Sequence, residues 1–271
     1  MADEPPWGEP LPADALDAHC HLDLIERPVA DVLADAAAAG ISRVMTVGVD
    51  LATSTWAAQC AAGNPAVCAA VAVHPNDTEA AAAMPGGRDA ALTAIASLAG
   101  QPKVRAVGET GLDYYRDHSA PGIQRDWFRA HIAIAKQAGK ALMIHDRDAH
   151  ADVLRILEQD GPPDKVVFHC FSGDAAMAKR CAEAGYVLSF AGNLTFANAQ
   201  GLREAAAAAP AEDLLVETDA PFLTPVPYRG RPNAPAMAAR TLRCLAEIKQ
   251  VTAEDMCALV TAAAARMFGT W

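Results

Sequence analysis

The chain has 271 residues, 52% of them apolar and 20% charged, with a formal net charge of −11 at pH 7. That length buries a sizeable core, either as one α/β barrel or as two smaller domains. The acidic balance excludes a broad basic face for duplex nucleic acid. It leaves a local phosphate site open, because charges beyond about 8 Å are screened at physiological salt.

Residues 1–14 are acidic and proline-rich, and they read as a disordered lead-in to a single domain over 15–271. They lack the basic and apolar regions of a signal peptide. No uncharged apolar run approaches the roughly 20 residues of a membrane span, so no membrane association is expected. Seven cysteines without a CxxC spacing point to reduced thiols and a cytoplasmic location.

Short apolar runs then alternate with alanine-rich helical stretches. The strand candidates are 16–18, 43–49, 66–73, 104–108, 141–144, 165–168, 186–190 and 214–216. Several are β-branched and nearly continuous, as strands covered on both faces should be. Helices are expected near 28–39, 51–62, 88–99, 121–138, 148–159, 174–184, 197–208, 234–248 and 252–267. Eight alternations predict a (β/α)8 TIM barrel rather than an open sheet. The longest irregular stretch, about 220–235, follows the eighth strand and carries Arg229 and Arg231. A loop of that length is more often functional than idle.

Chemistry-bearing residues fall where the apolar runs end. His19 and His21 close the first run, Glu109 the fourth, His145 the fifth and His169 the sixth, while Asp219 follows the eighth. In a (β/α)8 barrel these ends converge on the face that carries active sites. His19 and His21 are two residues apart, so on a strand both imidazoles point the same way. A lone His-x-His is a weak signal, and its bland reading is a surface pair. Glu109 read blandly pairs with an arginine, and His145 and His169 read blandly are satisfied core groups. Asp219 read blandly caps the turn before Pro221. Together, however, the six make a metal site. Four imidazoles and two carboxylates suit two divalent ions, zinc or manganese more than oxygen-seeking magnesium. Such ions activate water near neutral pH, with Asp219 placed as proton acceptor. Cys20 and Cys170 alternate with ligands and are expected to point into the core. The phosphate-binding loop, the dinucleotide fingerprint and the nucleophile elbow are all missing from the sequence.

An ordered set of blocks carries a closer match. It runs from Asp17-Ala18-His19-Cys20-His21 through Val73-His74-Pro75, Gly108-Glu109-Thr110-Gly111-Leu112-Asp113-Tyr114-Tyr115, and Ile144-His145 with Arg147. It continues with His169-Cys170-Phe171-Ser172-Gly173 and Glu217-Thr218-Asp219-Ala220-Pro221, and ends at Tyr228-Arg229-Gly230. The chain resembles the TatD-type metal-dependent deoxyribonucleases of the amidohydrolase superfamily from about residue 15 to its end. The resemblance implies a two-metal site and hydrolysis of DNA phosphodiesters, with 3′-to-5′ trimming of single strands and a place in DNA repair. It assigns His19, His21 and Asp219 to one ion, His145 and His169 to the other, and Glu109 to a bridge. His74, Arg147, Arg229 and Tyr114 become candidate substrate contacts: the guanidinium forks for phosphate, and Tyr114 or its neighbour Tyr115 for a base. Their bland readings are packing before Pro75, surface ion pairs and packing of the rings. Asp146 departs from the family, which more often has a small polar residue there; strand alternation turns it away from the metals. Short single-stranded DNA is the expected partner, and no obligate protein partner is predicted. Two other readings stay open: a hydrolase of another small phosphate ester, amide or lactone, and a non-catalytic barrel binding metal or a partner.

Overall fold

The computed structural model describes residues 5–116 and 118–270. In chain order its elements are β1 (Ala15–Cys20), α1 (Val29–Ala38), β2 (Ile41–Val47), α2 (Leu51–Gly63) and β3 (Val67–Val71). Next come α3 (Thr78–Ala82), α4 (Gly87–Ala99), β4 (Val104–Asp113), α5 (Pro121–Ala138), β5 (Ala141–Arg147), α6 (His150–Asp160) and β6 (Val166–Phe168). The chain closes with α7 (Ala175–Glu183), β7 (Val187–Phe190), α8 (Gln200–Ala208), β8 (Leu214–Val216), α9 (Ala238–Lys249) and α10 (Ala253–Phe268).

The strands form one eight-stranded sheet in the order β1 to β8. The segment beyond β8 returns to β1 through an isolated parallel bridge between Cys20 and Ala220. This is a (β/α)8 barrel, as the alternation of runs predicts. The strands are buried along nearly their whole length, which is why they read as continuous apolar runs. No described helix is long and apolar enough to cross a membrane.

Packing divides the described chain into two compact units, 5–45 with 170–266 and 46–169 with 267–270. In the first, residues 5–14 of the expected lead-in make contacts with α9 and the end of α1, while residues 1–4 lie outside the described residues. Leu11 is buried and its N–H donates to Ala39 O. Arg240 and Arg243 on α9 donate to the carbonyls of Pro6 and Trp7. Carbonyls capped by guanidinium groups and a buried leucine offset the ordering cost that an acidic, proline-rich composition suggests.

In the second unit β4 runs five residues past its expected end at Gly108. Its polar extension pairs in parallel with β5, Thr110 with Ile144 and Gly111 with His145, after a register shift between Val107 and Thr110. Gly111 is obligatory there: its φ is +144°, and a Cβ would sit 2.0 Å from the His145 carbonyl oxygen.

Candidate metal centre

The first unit contributes His19 at the end of β1, His21 just past it and Asp219 three residues after β8. The Nε2 atoms of His19 and His21 lie 3.4 Å apart. They stand 3.7 and 3.5 Å from Asp219 Oδ1. A tetrahedral ion with bonds of about 2.1 Å has ligand–ligand edges of about 3.4 Å, so these three donors fit one face of such a site. The histidines are buried and Asp219 is half-buried. Asp219 has a φ of +53°, a left-handed conformation that aspartate tolerates better than most residues. Its N–H donates to His19 O at 2.9 Å, and the His21 N–H donates to Ala220 O at 2.8 Å.

Asp17, absent from the expected site residues, fixes this arrangement. Its buried carboxyl accepts from Thr218 N–H at 2.9 Å, Thr218 Oγ1 at 2.5 Å and His19 N–H at 3.3 Å. The ends of β1 and β8 are thereby tied together under the ligands. Burial pushes the Asp17 carboxyl well up, against the three hydrogen bonds that favour its charged form.

In the second unit the donors converge on Glu109 Oε1. His145 Nδ1 lies 2.6 Å from it, His169 Nε2 2.7 Å and His74 Nε2 3.5 Å. His169 Nε2 and His145 Nδ1 are 3.5 Å apart. Burial alone would raise the Glu109 carboxyl, but the surrounding histidines, His169 foremost, hold it well below the usual carboxylate range. These are buried and half-buried donors around one ionised oxygen, the setting in which a divalent ion replaces shared protons.

His74 is better read as a donor than as a ligand. Its ligand-capable atom lies within 4.8 Å of those of Glu109 and His145. However, its Nδ1 accepts the Asn76 N–H at 3.1 Å, so in the neutral ring the proton sits on Nε2, facing Glu109. Burial, and then the neighbouring His145, lower the His74 pKa and favour that neutral ring.

Asp113, another residue that was not expected here, orients His145. Its Oδ2 stands 3.2 Å from His145 Nε2 and accepts from Asn76 Nδ2 at 2.9 Å. Its Oδ1 accepts the N–H groups of Tyr115 and Arg116, both at 2.9 Å. Burial opposes ionisation, yet these bonds hold the carboxyl well below its ordinary value. A carboxylate on Nε2 leaves Nδ1 free for a metal, the usual way a ligating histidine is aimed. Asp113 stands four residues after Glu109, and the parity is visible in the sequence. The signal was lost because the strand was expected to end at Gly108.

Comparison with known proteins agrees with this geometry. The family described as TatD related DNase matches residues 16–269. The chain belongs to that family. A relative from Mycobacterium tuberculosis, named as an uncharacterized metal-dependent hydrolase TatD, is 44% identical over 94% of this chain and 97% of its own length. One from Bacillus subtilis, the metal-dependent hydrolase YabD, is 37% identical over 93% of this chain and 98% of its own. The crystal structure of the TatD homologue YJJV from Escherichia coli superposes with a TM-score of 0.87 at 27% identity, covering 95% of this chain and 98% of that one. The chain is thus a TatD-family metal-dependent hydrolase.

The remaining candidates divide. Tyr114 is held by its hydroxyl, which donates to Asp152 at 2.6 Å and accepts from Arg125 at 3.1 Å. Among the described residues neither the Arg147 nor the Arg229 guanidinium has a carboxylate within salt-bridge distance. Instead Arg147 lies 3.9 Å from the Tyr115 ring centroid and Arg229 4.1 Å from that of Phe196. Asp146 bonds His150 on α6 at 2.8 Å. Cys20 is buried with Sγ on the Met45 carbonyl, whereas Cys170 is only half-buried and has a φ of +41°.

Proposed function

We propose that this TatD-family hydrolase is a two-metal phosphodiesterase that removes nucleotides from the 3′ end of single-stranded DNA. The observation that carries the reading is a cluster of metal-capable donors at the strand ends within each unit. His19, His21 and Asp219 would hold one ion, His145 and His169 the other, with Glu109 shared between them. Divalent ions there would polarise the phosphodiester and lower the pKa of water. Two such ions over a ligand charge of −2 also make the centre locally cationic, about +2, which attracts phosphate on an acidic protein.

The chain's own groups then have defined tasks. The Asp219 carboxylate, through the oxygen not given to the ion, would accept the proton of the attacking water, and its half-buried position lets that proton leave to solvent. His74 Nε2–H, which faces Glu109 Oε1, would turn to a non-bridging phosphoryl oxygen when substrate enters. Arg147 and Arg229, with no carboxylate in salt-bridge range among the described residues, present guanidinium edges to flanking phosphates. The family's description as DNase supports DNA as substrate.

The test uses single-stranded oligonucleotides with free or blocked 3′ ends, beside a small phosphate ester and a lactone. Stepwise shortening from the free 3′ end, abolished by a chelator, is expected. Turnover of the small ester or the lactone with DNA untouched would overturn the nuclease reading.

A further inference from the structure

Two tyrosines follow β4, and they have opposite environments. Tyr114 is tied by its hydroxyl to α5 and α6. Tyr115 is 63% exposed, with Arg147 of β5 over its ring. An exposed aromatic ring usually belongs to a mobile side chain, but this one has Arg147 against its face and a fixed backbone beneath it. Its N–H donates to Asp113 Oδ1, and Asp113 Oδ2 meets His145 Nε2. The backbone that carries the ring is therefore tied, through one carboxylate, to a histidine of the second donor cluster.

The ring and the guanidinium select a ligand chemistry together. Arg147 offers its flat face to the tyrosine, so its edge N–H groups point elsewhere, with no carboxylate taking them among the described residues. An aromatic surface beside a cationic fork suits a planar ring carrying an anionic group a few bonds away. An unpaired nucleotide has that form. A base still paired in a duplex does not, because its faces are covered by its neighbours.

We propose that Tyr115 and Arg147 form a nucleotide subsite, in which Tyr115 stacks on an unpaired base next to the bond being cut and Arg147 takes its phosphate. This rests on the nuclease reading above and adds a specificity to it. The subsite tolerates any base, because every base has a face to stack, but it requires the base to be present and unpaired.

The experiment compares wild type, Tyr115→Ala, Tyr115→Trp and Arg147→Gln, each as full-length metal-loaded protein. The substrates are a short single-stranded oligonucleotide and the same oligonucleotide with abasic sites at its last two 3′ positions. Removing a stacked base or its platform should raise KM about tenfold. The expected pattern is that wild type disfavours the abasic strand by about that factor. Tyr115→Ala should lose about tenfold in KM on the ordinary strand but under twofold on the abasic one, and Tyr115→Trp should keep the preference. Arg147→Gln should raise KM on both strands. Equal KM values for the two strands with wild type, or equal losses on both with Tyr115→Ala, would overturn the subsite alone. A wild type that cuts neither strand would overturn the nuclease reading, and the subsite with it.

Discussion

Replacing Asp113 with asparagine tests how the second donor cluster is built. The carboxylate accepts four hydrogen bonds, two on each oxygen. An amide keeps one oxygen, so whichever way it turns, two donors lose their acceptor and meet an NH2 group instead. Hydrogen bonds to a charged group are each worth about 1.5–3 kcal/mol, so the fold should lose about 3 kcal/mol or more. If the amide oxygen faces Tyr115 and Arg116, His145 Nε2 loses its partner and Nδ1 loses its fixed aim. Loss of an orienting partner behind a metal ligand weakens metal binding by about 10–100-fold. Competition titration of zinc against a chromophoric chelator would read this, with a thermal melt confirming that the variant is folded. One equivalent should weaken, while the equivalent assigned to His19, His21 and Asp219 stays tight. If both equivalents stay as tight as in wild type, Asp113 does not orient His145. Asn76→Ala, which removes one donor to Asp113 and leaves His145 alone, should give a smaller loss.

Further outcomes follow from other sites. His131 is buried and neutral, with Nε2 accepting the Val73 N–H and Nδ1 close to Trp127 O and Thr110 Oγ1. Burial, aided by Arg88, pushes its pKa down to about 4. Its stabilising contribution is complete above the unfolded value of about 6.5 and is lost as pH falls toward 4, a swing of about 3 kcal/mol. The melting temperature should drop more steeply between pH 7 and 5 in wild type than in His131→Gln; parallel drops would contradict this. Gly111→Ala forces a Cβ into the His145 carbonyl and should cost about 3 kcal/mol or more, read as soluble yield and melting temperature; a wild-type melt would refute the close approach. Asp219→Asn keeps a residue type at home at positive φ, so the fold and melt should survive while the rate falls by orders of magnitude. Retained turnover would remove Asp219 as the proton acceptor. Arg229→Gln should lower the slope of log affinity against log salt for single-stranded DNA by about 0.7, and an unchanged slope would mean no phosphate contact.

Much of this was legible in the sequence, for physical reasons that also explain the gaps. Strands buried on both faces must be apolar throughout, so 104–108 and 141–144 announced β4 and β5, and the metal-capable residues at their ends announced the site. The extension of β4 to Asp113 was hidden because Glu109, Gly111 and Asp113 break the apolar pattern. The buried carboxylates of Glu109 and Asp113 draw on partners from His74, Asn76, His145 and His169, which are distant in sequence. Helix α3, five residues long, gives no usable periodicity. Tyr114 and Tyr115 look alike on paper, and only the approach of Asp152 and Arg125 to one hydroxyl separates them. The order of residues 5–14 likewise depends on Arg240 and Arg243, more than 200 positions away. In each case partners brought in by the fold decide the role of a residue whose type and position alone do not.

The central claim is that six residues hold two ions, and metal stoichiometry tests it most directly. Metal-stripped protein titrated with zinc or manganese should bind two equivalents. His19→Ala with His21→Ala should bind one, and His145→Ala with His169→Ala should keep the one that the first pair loses. Wild type saturating at a single equivalent, with both double variants abolishing it, would contradict the two-ion account.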